Sequence, residues 1–216
     1  MKRTFAIGDI HGCLDKLEDL MSLIAPGKGD RLVFLGDYVD RGGHVVEVID
    51  FLIETARRVP CVFLRGNHED MFLSFLEFGS NRTVFFANGG MKTVESYVSP
   101  EQFVSPDQVV RAMPDDHREF FSHLQWYHED AGYVFVHAGI KPGVELAGQD
   151  RYDLIWIRDE FIASPTGLAQ KVIFGHTPFA RPLVKPDKIG IDTGAVYGGY
   201  LTAIELPSET FIQSFR

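Results

Sequence analysis

Residues 31–42 read Arg31-Leu32-Val33-Phe34-Leu35-Gly36-Asp37-Tyr38-Val39-Asp40-Arg41-Gly42, an apolar run that breaks at a glycine into a loop carrying two acids and an arginine. Leu32 to Leu35 has the length and content of a buried strand. Charges gathered at the end of such a strand suggest a ligand-binding edge, because in parallel α/β sheets the carboxyl ends of the strands face one crevice. The same junction recurs on either side. Thr4–Ile7 runs into Gly8-Asp9-Ile10-His11-Gly12, and Cys61–Leu64 runs into Arg65-Gly66-Asn67-His68-Glu69. Between these strands lie two amphipathic segments. Leu14, Leu17, Met21 and Ile24 share one face of 14–24, and Val45, Val48, Ile49, Leu52 and Ile53 share one face of 44–58. Strands alternating with helices predict βαβ units, right-handed crossovers and a largely parallel core sheet.

After Glu69 the pattern changes. Residues 71–128 read as several short helices broken by GS, NGG, SPEQ, SPD and MPDD, the segment expected to hold specificity. Strands return at 133–136, 172–174, 189–191, 200–206 and 210–215, the last two as a hairpin around Pro207-Ser208-Glu209. Two of them end as the early ones do, in His137-Ala138-Gly139 and in Gly175-His176-Thr177.

The composition belongs to a folded enzyme: 45% of the 216 residues are hydrophobic, 24% are charged, and no low-complexity tract is present. Length favours one domain over 1–216. A net charge of -9 argues against broad attachment to nucleic acid or an anionic membrane, while leaving room for a local cationic pocket. Cys13 and Cys61 read as reduced core residues. The apolar run at the amino terminus is too short for a signal peptide, and no segment is long enough to span a membrane. A cytoplasmic protein is the expectation.

Asp9, His11, Asp37, Asn67, His137 and His176 are all oxygen or imidazole donors at strand ends. Six donors exceed the needs of one four-coordinate ion and suit two divalent ions sharing a carboxylate. In extended backbone, Asp9 and His11 would face the same way, with Ile10 toward the core.

GDIHG (8–12), GDYVDRG (36–42), LRGNHE (64–69), HAG (137–139) and GHT (175–177), in this order, resemble the phosphoprotein phosphatase branch of the calcineurin-like metallophosphoesterases. The resemblance is strongest to its compact bacterial and phage members, the lambda-type serine/threonine phosphatases. Asn88-Gly89-Gly90 and the segment 191–199 also resemble the bacterial enzymes. The resemblance implies an α/β fold, an αββα sandwich of two mixed β-sheets flanked by helices, with a dimetal centre at the strand ends. Carried over by position, it makes Asp9 and His11 ligands of the first metal, Asp37 the bridge, and Asn67, His137 and His176 ligands of the second. Manganese is the expected metal, with iron or zinc also compatible with mixed nitrogen and oxygen donors.

Two divalent ions against Asp9, Asp37 and a bridging hydroxide leave the site net positive, as a dianionic phosphate requires. Arg41 and Arg65 add bidentate donors for phosphate oxygens, and Arg158 resembles, by a looser match, a further phosphate-contacting arginine. His68 is implied as the proton donor to the leaving group and Asp40 as the acid that orients it. The activity implied is hydrolysis of phosphoserine and phosphothreonine monoesters by direct in-line attack, with phosphotyrosine left open. Phosphorylated proteins or peptides are the expected partners, and no obligatory regulatory subunit is expected.

Simpler roles are assigned to other residues. His44, His117, His123 and His128 read as structural or solvated, and Asp15, Glu18 and Asp19 as the wet face of the first helix. Glu69 reads as support for the loop after Asn67. Phe72, Phe75, Phe78, Phe85 and Phe86 read as core, with part of the cluster lining a substrate groove as the alternative, and Asp192 as a residue serving the loop near the metals. The rival activity is that of the symmetrical diadenosine tetraphosphate hydrolases of the same branch. They share GDIHGC, but generally lack an aspartate at the Asp40 position and carry GNHD where this chain has Gly66-Asn67-His68-Glu69. A rival of another class is a scaffold that binds phosphoproteins without turnover.

Overall fold

The computed structural model describes residues 3–79, 81–99 and 105–215. The opening stretch forms the middle of one sheet. β2 (Arg31–Phe34) lies between β1 (Thr4–Ile7) and β3 (Cys61–Phe63) and runs parallel to both. β9 (Thr202–Leu206) and β10 (Thr210–Gln213) add antiparallel strands beyond β1, giving the order β10-β9-β1-β2-β3. The second sheet is built from β4 (Tyr127–Asp130), β5 (Tyr133–Val136), β6 (Lys171–Phe174), β7 (Leu183–Val184) and β8 (Lys188–Gly190). Its order is β4-β5-β6-β8-β7, with a parallel centre and antiparallel edges.

Strand alternation explains why the sheets stack. Ala6, Val33 and Val62 lie in one cross-strand row, and Phe135, Ile173 and Ile189 in another. The two rows meet in a buried cluster between the sheets. The alternate residues point outward. Phe5, Ile7, Leu32 and Phe34 pack with Leu17, Leu20 and Met21 of α1 (Leu14–Ile24) and Val48, Ile49 and Leu52 of α2 (Val45–Ala56). Val134, Val136, Val172 and Phe174 pack with Leu154 and Ile155 of α8 (Arg151–Trp156) and Phe161 of α9 (Asp159–Ala163). The result is the αββα sandwich of two mixed sheets, so the largely parallel sheet expected from the early strands is only the centre of each.

Between the halves, α3 (Asn67–Phe78), α4 (Arg82–Ala87), α5 (Gly90–Tyr97), α6 (Pro106–Ala112) and α7 (Asp115–Ser122) form the run of helices expected after the third strand. α3 starts at Asn67 itself, so the third motif loop passes straight into a helix. Phe72, Phe75 and Phe85 are fully buried, but Phe78 is 70% exposed and is not core. The SPEQ break lies mostly outside the described residues. β4 escapes periodicity because Tyr-His-Glu-Asp is polar throughout, as suits an edge strand. Its hairpin turn places Ala131 and Gly132 at positive φ. No helix among the described residues is long and apolar enough to cross a membrane.

Candidate active site

The loops after β1, β2, β3 and β6 are tied to one another by backbone groups. Ile10 and His11 donate their N–H groups to the Asp37 carbonyl at 3.0 and 2.8 Å. His68 N–H donates to Asp37 Oδ1 at 3.2 Å, and His176 N–H to both carboxylate oxygens of Asp9 at 3.1 Å. The extended backbone expected between Asp9 and His11 is not what brings them together. β1 has ended at Ile7, and His11 takes a left-handed φ of 46°, as do Asp37, Asp40, Arg41 and His176 in their own loops. Positive φ at so many non-glycine residues costs energy and marks a site over-determined by its surroundings. Ile10 does enter the core.

The ring nitrogens show what the cluster is built to hold. His137 places Nδ1 2.8 Å from the Leu35 carbonyl and His11 places Nδ1 2.7 Å from the Val39 carbonyl, so each donates from Nδ1 and leaves Nε2 as a lone pair. That lone pair of His137 lies 3.0 Å from Asn67 Oδ1 and 3.4 Å from Asp37 Oδ1, and that of His11 lies 3.4 Å from Asp37 Oδ2. His176 differs, because its Nε2 accepts from Arg158 and its Nδ1, 3.0 Å from Asn67 Oδ1, therefore donates. At His137 and His11, acceptors facing acceptors in a buried place call for cations between them. Burial pushes the imidazoles down, His137 to about 3, and keeps the rings neutral as ligands must be. Burial pushes the Asp9 and Asp37 carboxyls up, reinforced at Asp9 by Asp192 and Asp37 and at Asp37 by Glu69.

By distance the ligand atoms fall into two groups, His11 with Asp37 and His68, and Asp37 with His137 and His176. Asp37 belongs to both, one oxygen toward each, which fits the bridging role. Asp9 meets the second group through the His176 N–H and lines the same cavity as His11. The donors therefore fit two divalent ions. His68 falls within ligand distance as well, although its role implied by resemblance is a proton donor. Gly175 shows how tightly the set is framed: a Cβ there would stand 2.2 Å from Asp9 Oδ1. Gly175→Ala is expected to displace Asp9 and weaken binding of one ion about 10- to 100-fold, the range for disturbing a ligand's support, read by metal titration.

Of the three arginines, two reach the cluster. Arg41 Nη1 contacts His11 Nε2, and Arg158 Nε donates to His176 Nε2 at 3.0 Å. Both line a cavity of about 90 Å³ with Asp9, His11, His176, Asp192 and Tyr197. Arg65 is placed elsewhere. It pairs with Asp70 at 2.7 Å and stacks on Trp126, and it lines a separate groove between α3, α6 and α7.

His68 and Asp40 form the expected pair, with His68 Nδ1 2.6 Å from Asp40 Oδ2. Thr93 of α5 completes it, donating to Asp40 Oδ1 and accepting from Asp40 N–H at 2.9 Å. Burial pushes the Asp40 carboxyl up to about 7 against the Thr93 hydrogen bond, and lowers His68. Burial thus disfavours both charges. His68 Nε2 faces Asp37 Oδ2 at 3.9 Å, with the ring edge-on to His11.

Glu69 does more than support its own loop. Its carboxylate accepts four backbone N–H groups: Asp37 at 2.8 Å, Tyr38 at 2.8 Å, Val39 at 3.2 Å and Gly66 at 3.0 Å. Three belong to the GDYVDRG loop, so one fully buried side chain shapes the turn that presents Asp37. Burial raises this carboxyl to about 7 while the four donors oppose the shift. Glu69→Ala would orphan those donors at about 1–3 kcal/mol each. A loss of at least about 3 kcal/mol is expected in denaturant unfolding, enough to threaten the fold.

Three contributors were not legible in sequence: Thr93, Tyr197, whose ring stands 5.5 Å from the Arg41 guanidinium, and Lys16, which bonds the turn carrying Tyr197. The segment 191–199 resembles the bacterial enzymes, but nothing in its sequence sets Tyr197 apart. The four histidines read as structural lie outside the cavity; His117, for instance, bridges Tyr97 and Asp50. Asp192 sits in the cavity wall and accepts from Gly194 N–H at 2.9 Å.

The model of the calcineurin-like phosphoesterases matches residues 2–199. The chain belongs to that family. This phosphoesterase is thus a metal-dependent hydrolase of phosphoesters. It is 26% identical over 232 residues to the asymmetrical bis(5'-nucleosyl)-tetraphosphatase PrpE of Halalkalibacterium halodurans, covering 95% of this chain and 91% of the relative. That relative is of the asymmetrical type, not the symmetrical type that the motifs bring up as a rival. Among solved structures, one provisionally assigned as a diadenosine tetraphosphatase aligns with TM-score 0.74 and 24% identity, covering 98% of this phosphoesterase and 92% of that chain. A protein serine/threonine phosphatase of Saccharomyces cerevisiae aligns with TM-score 0.64 and 14% identity over 100% and 80% of the two chains. Both structural likenesses speak for the fold.

Proposed function

We propose that the phosphoesterase is a phosphoprotein phosphatase that hydrolyses phosphoserine and phosphothreonine monoesters. The observation that carries the reading is the buried Asp40–His68 pair beside Asp37. A serine or threonine alkoxide leaves only with a proton, whereas a nucleotide phosphate leaves readily without one. Asp40 and Thr93 hold the His68 ring so that Nε2 faces the donor cluster, where it gives its proton to the departing oxygen. Arg41 and Arg158 grip phosphoryl oxygens at the cavity wall. Asp9, His11, Asp37, Asn67, His137 and His176 would hold two divalent ions, which we take to be manganese, and these would supply charge neutralisation and an acidified water. The cavity of about 90 Å³ suits a phosphoryl group, well short of the roughly 300 Å³ or more that small-molecule pockets offer.

Dinucleoside tetraphosphate cleavage is the second reading, favoured by the tetraphosphatase relative that spans nearly the whole chain. Initial phosphate or nucleotide release by manganese-loaded protein separates the two, with a phosphoserine peptide and diadenosine tetraphosphate at equal concentration. The proposal expects kcat/KM to be higher for the peptide; a higher value for the dinucleotide would replace it with the second reading.

A further inference from the structure

Between the cavity and solvent stands a turn that the phosphate chemistry leaves unexplained. Residues 192–200 fold back on themselves. Gly199 N–H donates to the Gly194 carbonyl at 2.9 Å, and Thr193 Oγ1 to the Tyr200 carbonyl at 2.7 Å. Gly194 and Gly198, at φ 70° and 84°, bracket a 3-10 turn over Ala195–Tyr197. The turn is pinned from beneath by Lys16 of α1. Its ammonium is buried and donates to the carbonyls of Ala195 at 2.8 Å and Gly199 at 2.5 Å. A lysine is seldom buried unless its charge is satisfied, and here the carbonyls of this turn satisfy it.

What the turn presents is Tyr197, 64% exposed, with its ring 5.5 Å from the Arg41 guanidinium carbon. One face covers the arginine and the rest of the ring is open. Tyr197 and Arg41 line the cavity with Asp9, His11 and His176, and that cavity has room for a phosphoryl group and little more. The group esterified to the phosphate must therefore rest outside, on the rim where this ring stands.

We propose that Tyr197 is a specificity-determining residue that stacks on the leaving group of an aryl phosphate, the phosphotyrosyl side chain in a protein substrate. Lys16 is the positioning residue that fixes the height of the ring. The inference rests on the phosphoprotein reading above and extends it to dual specificity. An offset-stacked aromatic pair is worth about a 2- to 12-fold preference over an alkyl group of the same charge.

The test is binding, which needs no turnover. Dissociation constants for benzylphosphonate and ethylphosphonate are measured by calorimetry on manganese-loaded protein. Wild type is expected to favour the benzyl compound about 5- to 10-fold. In Tyr197→Ala the ratio should fall below about 2, while Tyr197→Phe, which keeps the ring, should preserve it. Lys16→Met, with folding checked by circular dichroism, should lower the ratio as Tyr197→Ala does. An unchanged ratio in Tyr197→Ala overturns the proposal. So does an equal loss for both phosphonates, which would reduce Tyr197 to a prop for Arg41. A folded Lys16→Met protein with the wild-type ratio removes Lys16 from it. Failure of the phosphoprotein reading shows instead in the competition between peptide and dinucleotide, whatever the phosphonate ratio.

Discussion

Replacing Asp37 with Asn is expected to leave fewer than two divalent ions per chain after dialysis and to lower phosphomonoester hydrolysis by at least about 10³-fold. The substitution keeps the side-chain volume and the backbone that Ile10 and His11 bond to, so the loop should still form. What it removes is the charge shared by the two donor groups. Asp37 Oδ2 lies 3.4 Å from His11 Nε2 and Oδ1 lies 3.4 Å from His137 Nε2, and an amide would turn an NH2 toward one of those nitrogens. That end could then donate to a neutral ring but could not bind a cation. Elemental analysis alongside the rate decides the matter, since two ions per chain in the variant would rule out the bridge.

His68→Asn should act differently, on the departing group and not on the metal count. Turnover of a phosphoserine peptide is expected to drop about 10²-fold or more, and that of p-nitrophenyl phosphate by less than about 10-fold, because a nitrophenolate leaves without help. The buried hydrogen bond to Asp40 at 2.6 Å gives the ring its direction, so Thr93→Val, which frees one Asp40 oxygen, should move the two substrates apart in the same sense by a smaller factor. Equal falls on both substrates would mean that His68 serves the metals, as its closeness to His11 and Asp37 also allows.

Much of this site can be read from the chain because each donor follows directly on a strand whose period-2 pattern is plain. Val33 and Phe34 face opposite cores, and once that is seen, Asp37 has to lie at the sheet edge. The five junctions then collect in one place by topology. Contacts made by residues remote in sequence were not legible. Thr93 reaches Asp40 across 53 positions and Lys16 reaches Ala195 across 179, and neither stands in a pattern that marks it. Arg65 lies in a motif, yet its contacts with Asp70 and Trp126 are ones the motif does not announce. The left-handed φ of His11 was hidden as well, since an Asp-x-His spacing looks the same in a strand and in a turn.

The seven residues from Leu35 to Arg41 carry more than ligands. Their carbonyls at Leu35 and Val39 orient His137 and His11, their N–H groups hang on Glu69, and Asp37 and Asp40 reach the neighbouring motifs. One short segment is thus a common support for donors drawn from four different loops. Ion binding and the melting of this segment should behave as a single thermodynamic event. Saturating cation, at about 100 times its dissociation constant, would then stabilise the native state by roughly 2.7 kcal/mol per independent site. Hydrogen exchange at the amides of Asp37, Tyr38 and Val39 should slow in step with that gain, making these three protons a reporter of metal occupancy that needs no substrate.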